Sequence, residues 1–345
     1  MRRFLLYIFI LAFPFVIIMC SINIFITPNY IYDYKYMDSI IYMAEKGYNA
    51  TNVESNIDER VFKKKYAELF NNQKIDYLIL GSSRLMQLSS EAVNGGKTLN
   101  LAISGAKIED LVAIYQVYKD NNIKANNVIL GIDPLFFNSD YGDDWWRSIA
   151  EYYYEFEKIE DYINYNKLSD RMLSIDYFRM AMNAIKEKKD DYPSLSFSKT
   201  YINNGYTRRI DGSVYYPKVY REKEQKDINK IAREIDITEY EFDTLSDERI
   251  NKFEVLLDSI QNEVENIYIL TLPYHPILYQ RINNMNCIKN TISYVKALSK
   301  KRRITIIGTY NPQSVGFTDK DFYDATHARK ESLDKLLTKG FSFSI

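Results

Sequence analysis

The chain has 345 residues, enough for one large domain with a full hydrophobic core, and its 45 Lys plus Arg nearly balance 46 Asp plus Glu. A net charge of -1 supplies no field that would gather nucleic acid or another polyanion, so no nucleic-acid partner is expected. Two cysteines, of which Cys20 lies in the N-terminal apolar run, leave no disulfide for the folded domain, and two histidines, His275 and His327, leave a multi-histidine zinc site without ligands, so neither metal nor cofactor is expected.

Taken in chain order, the first feature is an apolar, nearly uncharged run from Phe4 to Ile26 behind Arg2 and Arg3, 23 residues long. That length crosses a hydrocarbon core of about 30 Å, and the arginine pair predicts that the rest of the chain lies outside the cytoplasm. The run is longer than a signal-peptide core and lacks a small-x-small site, so residues 1–27 are expected to be an uncleaved, single-pass anchor in the cytoplasmic membrane. Bulky Met19 before Cys20 argues against a lipoprotein site. A buried core helix kinked at Pro14 is the alternative.

Residues 28–74 are polar and tyrosine-rich and read as a juxtamembrane linker ending in an amphipathic helix around Arg60 to Phe70, without a chemical motif. From residue 75 to residue 345 short apolar runs alternate with helical patterns. Strands are predicted at Asp76–Leu80, Thr98–Ile103, Asn127–Gly131, Ile267–Leu272 and Arg303–Ile307, with helices at Ile108–Asn121, Asp247–Asn262, Tyr279–Lys300 and Ala328–Thr338. This spacing is that of βαβ units, so the expected fold class is α/β, a five-stranded parallel sheet between helical layers. Residues from about 137 to 225 break the rhythm. They are read as an insertion over the carboxyl edge of the sheet, with helices near Ser148–Tyr165 and Ser169–Lys188 and a hairpin turning at Asp211-Gly212.

Functional groups in such sheets gather just beyond the carboxyl ends of the strands. There the sequence places Gly81-Ser82-Ser83-Arg84, then Asn100-Leu101-Ala102-Ile103-Ser104-Gly105, then Gly131-Ile132-Asp133-Pro134, and near the C-terminus Asp324-Ala325-Thr326-His327. A Gly-Ser-Ser after a strand is by itself usually a helix N-cap, and Asp-x-x-His usually a solvated helix start. Together, at opposite ends of an α/β pattern and with one of the two histidines in the last block, they are read as a candidate triad. An Asp one turn before a His can hold its Nδ1 proton and leave Nε2 facing a distant Ser, and a Ser83 amide at a helix N-terminus favours a developing oxyanion.

This set, in this order, resembles the blocks of the SGNH (GDSL-like) hydrolases and their acyltransferase relatives, over about Asp76 to the C-terminus. The resemblance implies an SGNH-like three-layer fold, Ser83 as nucleophile, Gly105 as second oxyanion donor beside the Ser83 amide, and Asp324 with His327 completing the triad. The third block departs from the family, where an Asn side chain usually donates to the oxyanion and here Asp133 stands. An ionised carboxylate cannot donate. Either Asp133 turns away, as in a pair with Arg84, or the hole rests on the Ser83 and Gly105 amides alone.

Three further residues are read as rim candidates. His275 follows a strand and would be a substrate-loop residue, or else a loop histidine between Pro273 and Pro276. Trp145 and Trp146 would stack on a sugar, or else anchor the insertion to the core. The anchor, the SGNH-like set and the insertion also resemble proteins that work beside membrane-bound O-acyltransferases, of the alginate O-acetylation and teichoic acid D-alanylation types. That likeness implies acyl transfer to or from a cell-envelope glycopolymer through an ester on Ser83, with a membrane-bound O-acyltransferase as partner. A surface polysaccharide esterase using the same residues, and a catalytically silent scaffold, are the alternatives.

Overall fold

The structure, a computed structural model, describes residues 2–25, 34–53, 57–142, 144–159, 195–200 and 205–342, with residues 172, 175, 178 and 182 besides. In chain order the elements are α1 (Arg2–Phe25), α2 (Tyr34–Glu45), β1 (Asn49–Thr51), α3 (Glu59–Glu68), β2 (Lys74–Leu80), β3 (Thr98–Asn100), α4 (Ile108–Asp120), β4 (Lys124–Gly131) and α5 (Ala150–Phe156). There follow β5 (Ser196–Ser198), β6 (Thr207–Arg208), β7 (Val214–Tyr215), α6 (Lys218–Arg221), α7 (Gln225–Glu234), α8 (Asp247–Gln261), β8 (Asn266–Thr271), α9 (Pro276–Ile282), α10 (Asn286–Lys301), β9 (Ile304–Gly308) and α11 (Lys330–Ser342).

Five strands form one wholly parallel sheet in the order β3-β2-β4-β8-β9. Its side chains alternate between two cores with the period of 2 that a pleated strand imposes. Leu78, Leu80, Val128, Leu130, Ile267 and Ile269 pack on one face with residues of α3, α4, α8 and α10. Ile79, Ile129, Leu270 and Ile307 pack on the other with Leu333, Leu336 and Leu337 of α11. Strands covered on both faces must be apolar throughout, which is why they read as continuous runs. Because β3 lies on one side of β2 and β4 on the other, the chain reverses direction across the sheet at β2. The crevice for a site therefore opens above the carboxyl ends of β2 and β4.

The region expected as one helix from Tyr279 to Lys300 is two, α9 and α10, separated at Asn283–Met285. His275 caps α9, and Pro276 occupies its first turn, where a missing N–H costs nothing. Of the expected helix at Ser148–Tyr165, the helical turns run from Trp145 to Phe156, and its last residues, from 160, lie outside the described residues. So does most of the helix expected at Ser169–Lys188.

Residues 28–74 are more than a linker. β1 joins β5, β6 and β7 in a second, antiparallel sheet of order β5-β1-β6-β7, so this segment and the insertion share one ladder. The hairpin turns at Asp211-Gly212 as expected and docks beyond β2 and β3: the Val214 amide donates to the Met86 carbonyl (2.8 Å) and the Asn100 amide to the Asp211 carbonyl (2.7 Å).

α1 forms over the segment expected as an anchor, with side chains described from Phe13 to Ile24. Among the described residues no helix is long and apolar enough to cross a membrane.

Candidate active site

Gly81 ends β2 with φ +151°, and a Cβ there would lie 3.3 Å from the backbone of Gly131 at the end of β4. The two glycines thus let the strand ends close up and the chain leave β2 sharply. Ser82 caps the next turn, and Ser83 begins it. That turn is a single 3-10 turn, Ser83–Leu85, not the helix the sequence suggested. One turn sums too few peptide dipoles to matter, so what Ser83 offers a developing negative charge is its amide.

Ser83 Oγ lies 2.8 Å from His327 Nε2, across 244 residues of sequence. His327 Nδ1 lies 2.9 and 3.1 Å from the two carboxylate oxygens of Asp324, so Nδ1 donates and Nε2 is left to accept from Ser83. Asp324 is fixed as much by backbone as by the imidazole: its Oδ1 accepts the amides of Thr326 and His327, both at 2.8 Å. The Tyr220 hydroxyl, from α6 in the insertion, donates to its Oδ2. Burial alone would raise the Asp324 carboxyl, but the charge of a protonated His327 and these donors hold it far below the ordinary carboxylate range. Asp324 is thus held ionised as an acceptor for the Nδ1 proton. Tyr216 adds an edge contact to the His327 ring, 6.2 Å between centroids.

The loop of residues 101–105 stands beside Ser83 because the Ile103 amide donates to the Gly81 carbonyl (3.0 Å). Asn100 staples the two segments, donating to the Leu85 (2.9 Å) and Leu88 (2.8 Å) carbonyls and accepting the Ala102 amide (2.9 Å). Gly105 adopts φ +57°, a left-handed conformation that glycine tolerates best. Among the described residues, neither the Ser83 nor the Gly105 amide donates to a protein acceptor. Both remain available for a developing charge.

The loop is held from behind by three charged residues at the start of α3, a segment in which the sequence showed no chemistry. Glu59 accepts the Ser104 amide (2.8 Å) and pairs with Arg208 of β6. Arg60 pairs with Asp110 (2.9 Å) and donates to the Gly105 carbonyl (3.3 Å). Lys63 donates to the carbonyls of Asn100 (2.8 Å) and Gly212 (2.6 Å). Burial would raise Glu59, yet Arg208 and then Lys63 bring its carboxyl down to about 2. Burial, with Arg208 second, pushes the Lys63 ammonium down to about 7. Their only sequence signal was charge on what must be a buried helix face, legible only once the neighbours of α3 are known.

Asp133 turns into the protein. It pairs with Arg84 and accepts the Ser82 hydroxyl, and Arg84 continues to the carbonyls of Leu272 (2.6 Å), Pro273 (2.8 Å) and Thr326 (3.1 Å) while lying over the Tyr274 ring at 4.1 Å. Burial disfavours the Arg84 charge, but Asp133 together with Tyr274 and Tyr240 outweighs it, and the Arg84 pKa is raised. Arg84 and Asp133 thus tie together the loops after β2, β4 and β8 and the triad loop.

His275 is not a rim residue. It is fully buried, its Nδ1 accepts the Ile277 amide (3.2 Å), its own amide donates to the Ala325 carbonyl (3.0 Å), and its ring lies on Phe322. Burial lowers its pKa, so it is a neutral cap supporting the triad loop from below. The two tryptophans part company. Trp146 is buried against Tyr153 and Tyr154, whereas Trp145 is 54% exposed on Gly105. Among the described residues no group of three or more His, Cys, Asp or Glu is placed to hold a metal ion.

Compared with known protein families and with characterised protein sequences, the chain matches none.

Proposed function

We propose that the chain is an SGNH-type serine acyltransferase of the cell envelope, which passes an acyl group to or from a glycopolymer through an ester on Ser83. The observation that carries this reading is the unbroken relay from Ser83 Oγ through both imidazole nitrogens of His327 to Asp324. As Ser83 Oγ attacks an acyl carbonyl, its proton passes to His327 Nε2. The oxyanion forms against the Ser83 and Gly105 amides, and the leaving oxygen departs with the proton from Nε2. An acceptor hydroxyl then gives its proton to Nε2 as it attacks the Ser83 ester, and Ser83 Oγ leaves the acyl carbon with the proton from Nε2, which restores the starting state. Water as acceptor makes the same relay an esterase.

An outward-facing membrane anchor accords with the row of exposed apolar residues Phe13, Phe15, Val16, Ile17 and Ile18 on α1. A membrane-bound O-acyltransferase as acyl donor follows from the resemblance. The test is labelling with a fluorophosphonate. Wild type is expected to be labelled at Ser83, and Ser83→Ala and His327→Ala to be unlabelled; a folded wild type that resists labelling would leave the silent scaffold as the better reading. Saccharide acceptors that suppress hydrolysis of an activated acetyl ester while acquiring the acetyl group distinguish transfer from hydrolysis. Fractionation of cells is expected to put the full chain with membranes, and a chain lacking residues 1–27 in the soluble fraction.

A further inference from the structure

The geometry points to Trp145 as a carbohydrate-stacking platform on the oxyanion loop, so that the ligand of this site is a glycan laid with one pyranose face on the indole. Its indole edge rests on Gly105, where a Cβ would come within 3.1 Å of Cζ3 and 3.6 Å of Cε3. The Arg60 guanidinium lies over the ring at 5.2 Å and is itself fixed by Asp110 and the Gly105 carbonyl. Asp144, the preceding residue, is pinned between Lys107 (3.1 Å) and Arg147 (2.8 Å), and the following Trp146 is anchored in the core. The ring is therefore held from both sides in sequence and from beneath, and still leaves 54% of its surface to solvent. An indole so fixed and so exposed is arranged before any ligand arrives, which lowers the entropic cost of binding.

The surroundings select the ligand. Apolar lipid or peptide needs a continuous apolar surface, whereas this ring has the Arg60 guanidinium over it and, next to it in sequence, the Asp144 carboxylate paired with Lys107 and Arg147. A pyranose suits both features, with axial C–H groups for the electron-rich face of the indole and hydroxyls at its rim for the half-exposed Asp144 and Arg147. Contact with Gly105 sets that sugar beside the place where the oxyanion would form. The use of the platform for acyl transfer rests on the proposed role of Ser83; the binding itself does not.

The experiment is calorimetric titration of the full chain, held in a detergent without a sugar headgroup, with tetra-N-acetylchitotetraose and with cellotetraose, alongside fluorophosphonate labelling of the same samples. Saturable binding of at least one saccharide is expected, weakened about tenfold or more in Trp145→Ala and kept within about threefold in Trp145→Phe, which retains a ring for stacking. Wild type that binds neither saccharide, or Trp145→Ala that binds as tightly as wild type, overturns the inference. Labelling at Ser83 without saccharide binding leaves the acyl-transfer reading standing and removes the platform. Binding dependent on Trp145 without labelling does the reverse.

Discussion

A carboxylate facing a developing oxyanion would raise the barrier, and Asp133 avoids this by turning both oxygens into the protein, one to Arg84 and one to Ser82. An Asn at this position would leave the Arg84 guanidinium buried without a counter-charge. Asp133→Asn is expected to lose about 3 kcal/mol of stability in chemical denaturation and to gain no activity. Glu59 acts one step further from the chemistry, as the acceptor that fixes the Ser104 amide and so the direction of the next amide, that of Gly105. Glu59→Gln weakens this bond and leaves Arg208 without its charge partner. It is expected to lower kcat for an activated acetyl ester by about tenfold to a hundredfold with KM little changed, the signature of a misplaced oxyanion donor. Tyr220 was invisible in the sequence as a site residue because tyrosine is abundant throughout the chain, 31 in all, and only the fold of the insertion brings this one to Asp324.

Among the elements, the β6–β7 hairpin contributes more than coverage of the sheet. Its turn residue Gly212 has φ +81°, and a Cβ there would fall 2.5 Å from the Asn100 carbonyl, one of the two carbonyls that Lys63 holds. Gly212→Ala is therefore expected to destabilise the protein by about 2 kcal/mol or more and to slow Ser83 labelling, because the strained turn pushes on the segment that leads to Gly105. Measured together, unfolding and labelling rate distinguish this from a change confined to an exposed loop. The same hairpin was legible as a turn from Asp211-Gly212, but its partners were not. The three-residue β1 carries no apolar alternation long enough to read, and it pairs with β5 and β6 from more than 140 positions away.

For the whole molecule, the buried trio Glu59, Lys63 and Arg208 couples stability to pH. Lys63 titrates near 7 when folded against an ordinary 10.5, so between these values the unfolded chain holds a proton that the folded chain has released. Stability is expected to rise with pH from about 7 toward 10, by at most about 1.4 kcal/mol per unit, and Lys63→Met should flatten that rise in unfolding experiments across the window. Glu59 works at the other end. Its folded carboxyl near 2 against an ordinary 4.5 supplies stability that is complete above 4.5 and lost as pH falls from 4.5 toward 2.

The sequence by itself determined the parallel α/β sheet, because strands covered on both faces must be apolar and amphipathic helical patterns recur between most of them. It also marked the residues just beyond the strand ends, where Ser83, Gly105, Asp133 and the Asp324–His327 pair stand, because sheet topology sends those positions to one edge. The tertiary structure alone decided how they are used. Whether Asp133 faces the oxyanion or Arg84, whether His275 is a rim residue or a buried cap, which tryptophan is exposed, and that Glu59 and Tyr220 belong to the site at all depend on contacts between residues far apart in the chain. Local propensity and periodicity carry no term for such contacts, since each is set by which surfaces the packed layers bring within hydrogen-bonding distance.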